Sequence, residues 1–367
     1  MRAGEVVYFS KMFQAVPHLA QVSDALPGIF VSSRRSTLKA VHNLYPGLAT
    51  ARYSRYFGQL AKGNRALRNA DVIVTGSPYG SFLAPYSGAR KCTVFHGTYM
   101  MLSREALLKN SHFDLLCVIG PRMQGMIERF APDIALNTVA TGFLPFCEYP
   151  ERSAAYRLEV LKRLNLDPAN RTVVYTPSRL GIGSWERVAE QLVRTAPAHF
   201  NLILRPHPSQ GLTSRSRDRA SFKRVQALIL QRRNATLDLT SQPLPVALAV
   251  ADLVVSDANS PAEESFFYDL PQFFIETPEF SRDTLSQLGK REAMHAQDLD
   301  RLLGLYDCGV SEFVDNHCDF SDSLDRAIDD SARFAAKRQD YFSWVFGARD
   351  RHANQRVAEA ITTHLLV

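Results

Sequence analysis

The sequence predicts an α/β protein made of two domains, each an open sheet of parallel strands with helices packed on it. Three observations carry this. Short apolar runs recur along the whole chain and alternate with segments of helical spacing. Many of those runs end in small, polar, Gly or Pro residues. The 367 residues suffice for two domains of ordinary size.

Glu5 to Ser10 reads as the first strand, followed by loop and helix to Ala25. Ile29 to Ser32 is the second strand. The basic segment after it is helical in parts, with Pro46-Gly47 as a break. Asp71 to Thr75 is a buried strand ending in Gly76-Ser77-Pro78-Tyr79-Gly80, a loop where backbone can approach a ligand closely. Lys91 to Phe95 is a strand ending at His96-Gly97-Thr98, and Leu115 to Ile119 one ending at Gly120-Pro121. Met123, Met126, Ile127 and Phe130 then mark the core face of a helix, and Asn137 to Ala140 is strand-like. The first domain is placed at 1–147, and Glu148 to Arg152 reads as a linker.

The second domain, 148–345, opens with a helix from Ala154 to Leu164. Arg171 to Thr176 is a strand ending in Pro177-Ser178-Arg179, and Trp185 to Thr195 a helix. Asn201 to Leu204 is a strand ending in Arg205-Pro206-His207-Pro208, a loop stiffened by its prolines. A basic region from Arg215 to Arg233 follows, then a short strand near Thr236 and a helix from Pro245 to Ala251. Leu253 to Val255 is a buried strand that breaks at Ser256-Asp257-Ala258-Asn259-Ser260. Pro261 suits a first helical position, with Ser260 as N-cap and Glu263 and Glu264 in the first turn. Phe273 to Ile275 is the next apolar run, and the chain from Ser321 onward is mostly helical. The last helix, in 346–367, starts near Arg349 and is expected to pack back on the first domain.

Composition narrows the function classes. At 46% hydrophobic and 22% charged, the chain is that of a globular protein, not a disordered or fibrous one. No apolar run reaches the ~20 residues that span a bilayer, and the N-terminus carries no signal-peptide pattern. The five cysteines are scattered without a CxxC, which suits reduced thiols in a cytoplasmic protein. No cluster suggests a metal site, and no cofactor motif appears. Of the net +6, much falls between Ala25 and Ala70, which holds no acidic residue. Arg34, Arg35, Lys39, Arg52, Arg55, Lys62, Arg65 and Arg68 lie there among Tyr45, Tyr53, Tyr56 and Phe57. The stretch reads either as a solvated helical face or as a surface for an anionic membrane or acidic polymer. No nucleic-acid-binding motif accompanies it.

The chemistry-bearing residues fall beyond strand ends, where open α/β sheets bind ligands. Strand, small-residue loop and helix N-terminus at 253–264 make a phosphate site, since backbone N–H groups and the helix dipole point at an anion. An Arg and a His in the rigid loop at 205–208 add an anion-binding constellation. His96, between a strand end and a Gly, suits a general base with a pKa near neutral.

Two such halves resemble the GT-B architecture, in which two Rossmann-like domains face each other across a cleft. Within it, the motifs resemble the CDP-glycerol glycerophosphotransferase family, the enzymes that build teichoic-acid-like polymers. VFHGT (Val94 to Thr98) resembles the family's W/F-HGT block, and VVYTPSR (Val173 to Arg179) its Y-A-P-T-W-R block. LILRPHP (Leu202 to Pro208) is similar to the R-x-H block, DLVVSDANS (Asp252 to Ser260) to D-x-L-I-T-D-Y-S-S, and RDRHANQRV (Arg349 to Val357) to the terminal block. The chain departs from the family where Ala258-Asn259-Ser260 replaces Tyr-Ser-Ser and Glu263-Glu264 replaces Phe-Asp. Those positions are closer to a block of the UDP-N-acetylglucosamine 2-epimerases, which are also GT-B proteins.

The resemblance implies transfer of a polyol phosphate from a CDP-linked donor to a hydroxyl of a cell-surface glycan, polymer or lipid-linked acceptor, with release of CMP and no metal or other cofactor. CDP-glycerol, CDP-ribitol and a nucleotide sugar remain open as donors. It makes His96 and His207 the catalytic candidates. His207 and Arg205 would hold the diphosphate, with Arg179 as a further phosphate contact. Ser256, Asn259 and Ser260 would add hydrogen bonds, and Glu263 or Glu264 would hold the ribose. Asp257 either orients His207 or binds the acceptor. Two alternatives stand beside this reading, a nucleotide-sugar glycosyltransferase or epimerase and a non-catalytic glycan-binding module. The expected location is the cytoplasm, peripherally on the inner face of the cell membrane.

Overall fold

The computed structural model describes residues 5–98, 100–130, 132–212, 216–314 and 318–366. Arg215, in the basic region, lies outside them. The chain forms two compact units, Met1–Glu148 with Ser343–Val367, and Tyr149–Phe342.

The first unit holds seven parallel strands: β1 (Val6–Phe9), β2 (Ile29–Ser32), β3 (Thr50–Arg52), β4 (Val72–Thr75), β5 (Arg90–Thr93), β6 (Leu115–Val118) and β7 (Thr138–Ala140). Their order is β3-β2-β1-β4-β5-β6-β7, so the direction of winding reverses between β1 and β4. Strands covered on both faces must be apolar throughout, and VVYF, VIVT and LLCV are buried at every position. Val72, Val74, Cys92 and Leu115 share a core with Val357 and Ile361 of the helix Ala353–Leu365. That helix begins four residues later than the sequence suggests. Asp350 pairs with Arg356, whose Nε donates to the carbonyl of Thr141, and this fixes the approach to the helix.

The second unit repeats the plan with β8 (Arg171–Thr176), β9 (Phe200–Leu204), β10 (Ala235–Leu237), β11 (Leu253–Ser256), β12 (Gln272–Glu276) and β13 (Val310–Phe313). All pairings are parallel, in the order β10-β9-β8-β11-β12-β13. The switch in winding lies between β8 and β11, where Thr176 and Ser256 are register partners. Trp185 opens the helix after β8, stacks on Tyr175 at 6.0 Å and donates its indole N–H to Ser221 at 2.9 Å.

Among the elements that escape the sequence reading are the helices Arg104–Asn110, Ser216–Arg232, Arg282–Arg291 and Ala296–Leu303, and the edge strands β3 and β13. The edge strands are three and four residues long and only partly buried, so they lack an apolar run. The helix after β11 is shorter than expected. It spans Ser260–Ser265 with Asn259 as N-cap, then tightens into a 3-10 turn at Phe266–Tyr268, which Asp269 ends at φ +53°. No helix among the described residues is long and apolar enough to cross a membrane.

Candidate functional site

In the second unit the site is built at the carboxyl ends of β8, β9 and β11. Asp257 follows β11 and is fully buried. It accepts hydrogen bonds from the backbone N–H of Ser178 (2.5 Å) and of Ser184 (3.0 Å), and from the Ser184 hydroxyl. Burial pushes its carboxyl up to about 6 despite these donors. Its partners belong to the loop after β8, so Asp257 shapes that loop. It has no bond to His207, contrary to one of the roles expected from the sequence. The loop turns tightly enough to need Gly183, where a Cβ would stand 2.1 Å from the carbonyl oxygen of Ser178.

Ala258, also fully buried, takes a left-handed φ of +51°, a costly geometry for a residue with a side chain. It turns the chain so that Asn259 can donate to the carbonyl of Thr176 (2.8 Å) and to the Ser178 hydroxyl (3.4 Å). Three buried polar atoms beside the switch point, Thr176 Oγ1, Ser256 Oγ and Asn259 Oδ1, have no hydrogen-bond partner among the described residues. Buried polar groups are normally satisfied, so these three atoms have bonding capacity left for water or a bound molecule. Ser260 begins the helix behind it, half-buried.

His207 caps the short turn Pro208–Gly211. Its Nδ1 accepts the N–H of Ser209 at 3.2 Å and lies 2.7 Å from the Ser209 hydroxyl. A nitrogen that accepts from a backbone N–H carries the lone pair, so the neutral ring bears its proton on Nε2. Burial, and then the positive charge of Arg179, hold its pKa down to about 4. Arg179 is exposed and forms no ion pair among the described residues.

Arg205 corrects the sequence reading. It is buried, with an ion pair to Asp238 and a 2.8 Å bond from Nη2 to the carbonyl of Gln242. Its guanidinium is committed to holding the start of the Arg-Pro-His-Pro loop and is not presented to a ligand. Glu263 is corrected likewise, being fully buried and accepting from the Tyr341 hydroxyl at 2.8 Å. Glu264, 9% exposed, accepts from the Tyr149 hydroxyl at 3.2 Å.

In the first unit, His96 stands beyond β5, next to the switch point. Its Nδ1 lies 2.5 Å from the carbonyl oxygen of Gly76 and 3.3 Å from the Ser77 hydroxyl. A carbonyl can only accept, so Nδ1 carries the proton and Nε2 is the basic nitrogen of the neutral ring. Burial lowers the pKa of His96, and the Gly76 carbonyl opposes this in part. Gly76 admits no side chain, since a Cβ there would stand 2.7 Å from that of Ala15 and 2.8 Å from the Phe95 carbonyl oxygen. Phe95, just before His96, is left-handed at φ +58°. Both site loops thus carry a strained non-glycine residue directly before or within one residue of a predicted site side chain.

Sequence reasoning passed over the groups that hold these loops. His18, fully buried, accepts the N–H of Gly97, and the buried Arg122 donates to the carbonyl of Thr98 at 2.7 Å. A lone His in a helix gives no signal of this kind. Ser178 and Ser184 were legible only as small residues in a Gly-rich loop. Among the described residues no group of three or more His, Cys, Asp or Glu side chains is placed to hold a metal ion.

No protein-family model matches the sequence, and no curated protein matches it. Solved structures do match. The wall teichoic acid polymerase TagF, in a variant soaked with CDPG, superposes with a TM-score of 0.67 at 13% identity, over 99% of this chain and 89% of that one. HepE of Anabaena, in complex with UDP-glucose, gives 0.56 at 14% identity, over 98% and 100%. A glycosyltransferase from Rickettsia africae gives 0.53 at 11% identity, over 100% and 99%. At these identities the likeness is one of fold. The two parallel α/β sheets and these neighbours make the fold GT-B, as the sequence leads one to expect.

Proposed function

We propose that the protein is a GT-B transferase that moves a polyol phosphate from a CDP-linked donor to the hydroxyl of a glycan or polymer acceptor, in the manner of the CDP-glycerol glycerophosphotransferase family. The observation that carries this is the opposite hydrogen bonding of two histidines. In His96 the Nδ1–H is bonded and Nε2 is the basic nitrogen of the neutral ring, whereas His207 accepts at Nδ1 and carries its proton on Nε2. Proton abstraction and anion stabilisation need these two states. The acceptor oxygen attacks the distal phosphorus, and its proton passes to His96. The bond from that phosphorus to the CMP oxygen breaks, and CMP carries away the electron pair.

The second unit serves the donor. His207 Nε2–H and the exposed Arg179 take the diphosphate, in place of the buried Arg205. Ser256, Asn259 and Ser260 add polar contacts, and Glu264 is the ribose candidate that is not fully buried. The first unit serves the acceptor. Tyr56, Phe57 and Leu60 there stand 93%, 62% and 83% exposed among arginines, which suits an anionic membrane surface.

Incubation of the purified protein with CDP-glycerol, CDP-ribitol and several UDP-sugars, with a hydroxylated acceptor, tests the reading. Release of CMP that disappears in His96→Ala supports it. A nucleotide-sugar glycosyltransferase is favoured by one observation, the likeness of fold to HepE with UDP-glucose. Release of UDP from sugars, with CDP donors left intact, would establish that alternative.

A further inference from the structure

The first unit has a pocket of about 300 Å³ whose wall includes Lys11, Arg52, Tyr53, Arg55, Tyr56 and Phe82. It opens where β1, β2 and β3 end, the ligand-binding end of a parallel sheet. No acidic residue lines it. Lys11, Arg52 and Arg55 form no ion pair among the described residues, and nearby Arg34 adds a further positive charge. Burial, then the charges of Arg55 and Arg34, lower the pKa of Lys11. Cations gathered without a counter-charge repel one another, and an anion among them removes that cost.

The other wall is aromatic and fixed. Phe82 stacks on the buried Phe9 with centroids 4.1 Å apart and an interplanar angle of 11°. Tyr53 meets Phe82 edge-on at 5.0 Å, and Lys11 Nζ lies 5.0 Å from the Phe82 centroid. The Tyr79 hydroxyl accepts the Lys11 N–H at 3.1 Å and so ties the cation's backbone to this stack.

We infer that this pocket binds a phosphate ester carried on a polyol or sugar. Lys11, Arg52 and Arg55 hold the phosphate, for which the arginine fork is suited. Tyr53 and Phe82 cover the C–H faces of the carrier. The choice of carrier rests on the function proposed above, while the anion site rests on the pocket alone.

Titration calorimetry with sn-glycerol 3-phosphate, inorganic phosphate and glycerol decides the matter, with vesicles of phosphatidylcholine with and without phosphatidylglycerol as a second arm. Glycerol 3-phosphate binds and glycerol does not, and added salt weakens the binding. The exposed pair Arg52→Ala with Arg55→Ala weakens it roughly tenfold or more, with an unchanged circular dichroism spectrum. Tyr53→Ala abolishes the preference for glycerol 3-phosphate over inorganic phosphate. Failure of the wild-type protein to bind either phosphate, or equal binding by the double variant, would overturn the anion site. Binding confined to phosphatidylglycerol vesicles and lost in the double variant would overturn the soluble carrier and assign the site to a lipid headgroup. None of these readings depends on turnover of a nucleotide donor, so loss of the proposed activity and loss of this site are told apart.

Discussion

His18 Nε2 accepts a hydrogen bond from the backbone N–H of Gly97 at 3.1 Å, so a buried imidazole supports the loop that carries His96. Burial, and then the neighbouring His96, hold the pKa of His18 down to about 3. The unfolded chain takes up this proton near the ordinary value of 6.5. Between those two values the unfolded state binds a proton that the folded state refuses, so stability falls as pH falls through the window. The full effect is on the order of 5 kcal/mol. His18→Gln keeps an acceptor for Gly97 but does not titrate. Urea unfolding across the window should show a flatter pH dependence in that variant than in the wild type, and parallel curves would refute the assignment.

The two site histidines should respond differently to pH and to ligand. His96 is base-competent only when neutral, and its pKa lies below 6.5. The acid limb of the rate profile is therefore expected below that value, and His96→Ala should lower the turnover number by about 10² to 10⁴. His207 titrates near 4 without ligand. A bound diphosphate favours its charged form, so an NMR titration with a CDP-linked donor should show this pKa rising. A value that stays near 4 in the presence of saturating donor would exclude a diphosphate contact.

Arg205 and Asp238 form a buried pair, 6% and 3% exposed. Removing one partner strands the other charge, so Arg205→Ala should cost about 3–5 kcal/mol. The double change Arg205→Met with Asp238→Leu should recover much of this in chemical denaturation. A ligand-binding arginine would behave in the opposite way, with stability kept and donor affinity lost.

Asp257 holds the Ser178 and Ser184 amides and the Ser184 hydroxyl. Asp257→Ala leaves these buried donors unmatched, at a cost of roughly 3 kcal/mol. The KM for donor should rise, because Ser178 and Asn259 lose their fixed geometry. Phosphate binding at Arg52 and Arg55 should be untouched, which calorimetry can check on the same sample.

The sequence shows well those parts of the molecule that bury apolar runs. β4, β6, β8 and β11 are read within a residue or two because strands buried on both faces cannot be polar. The edge strands β3 and β13 were silent because half of each faces solvent. At the candidate site, the sequence pattern puts His96, His207, Ser256 and Asn259 at or just beyond strand ends, and the structure has them there. Residue type and strand-end position were not enough to tell an exposed arginine from a buried one. Arg205 and Arg179 both follow strands, and what separates them is Asp238, which comes directly after β10, the neighbour of the strand that Arg205 follows. The support of the His-Gly-Thr loop by His18 depends on a contact 79 residues apart in the chain, which no local pattern encodes.

The helix Ala353–Leu365 supplies Ala353, Val357, Ala360, Ile361 and Leu365 to a core whose other buried members lie before Glu148. During synthesis all of Tyr149–Phe342 leaves the ribosome before that helix does. The second unit is a continuous segment and can complete its sheet while translation continues. The first unit must wait with an apolar groove uncovered until more than 200 further residues have been added. A premature stop within that last segment would thus damage the half of the protein encoded first and leave the half encoded later intact.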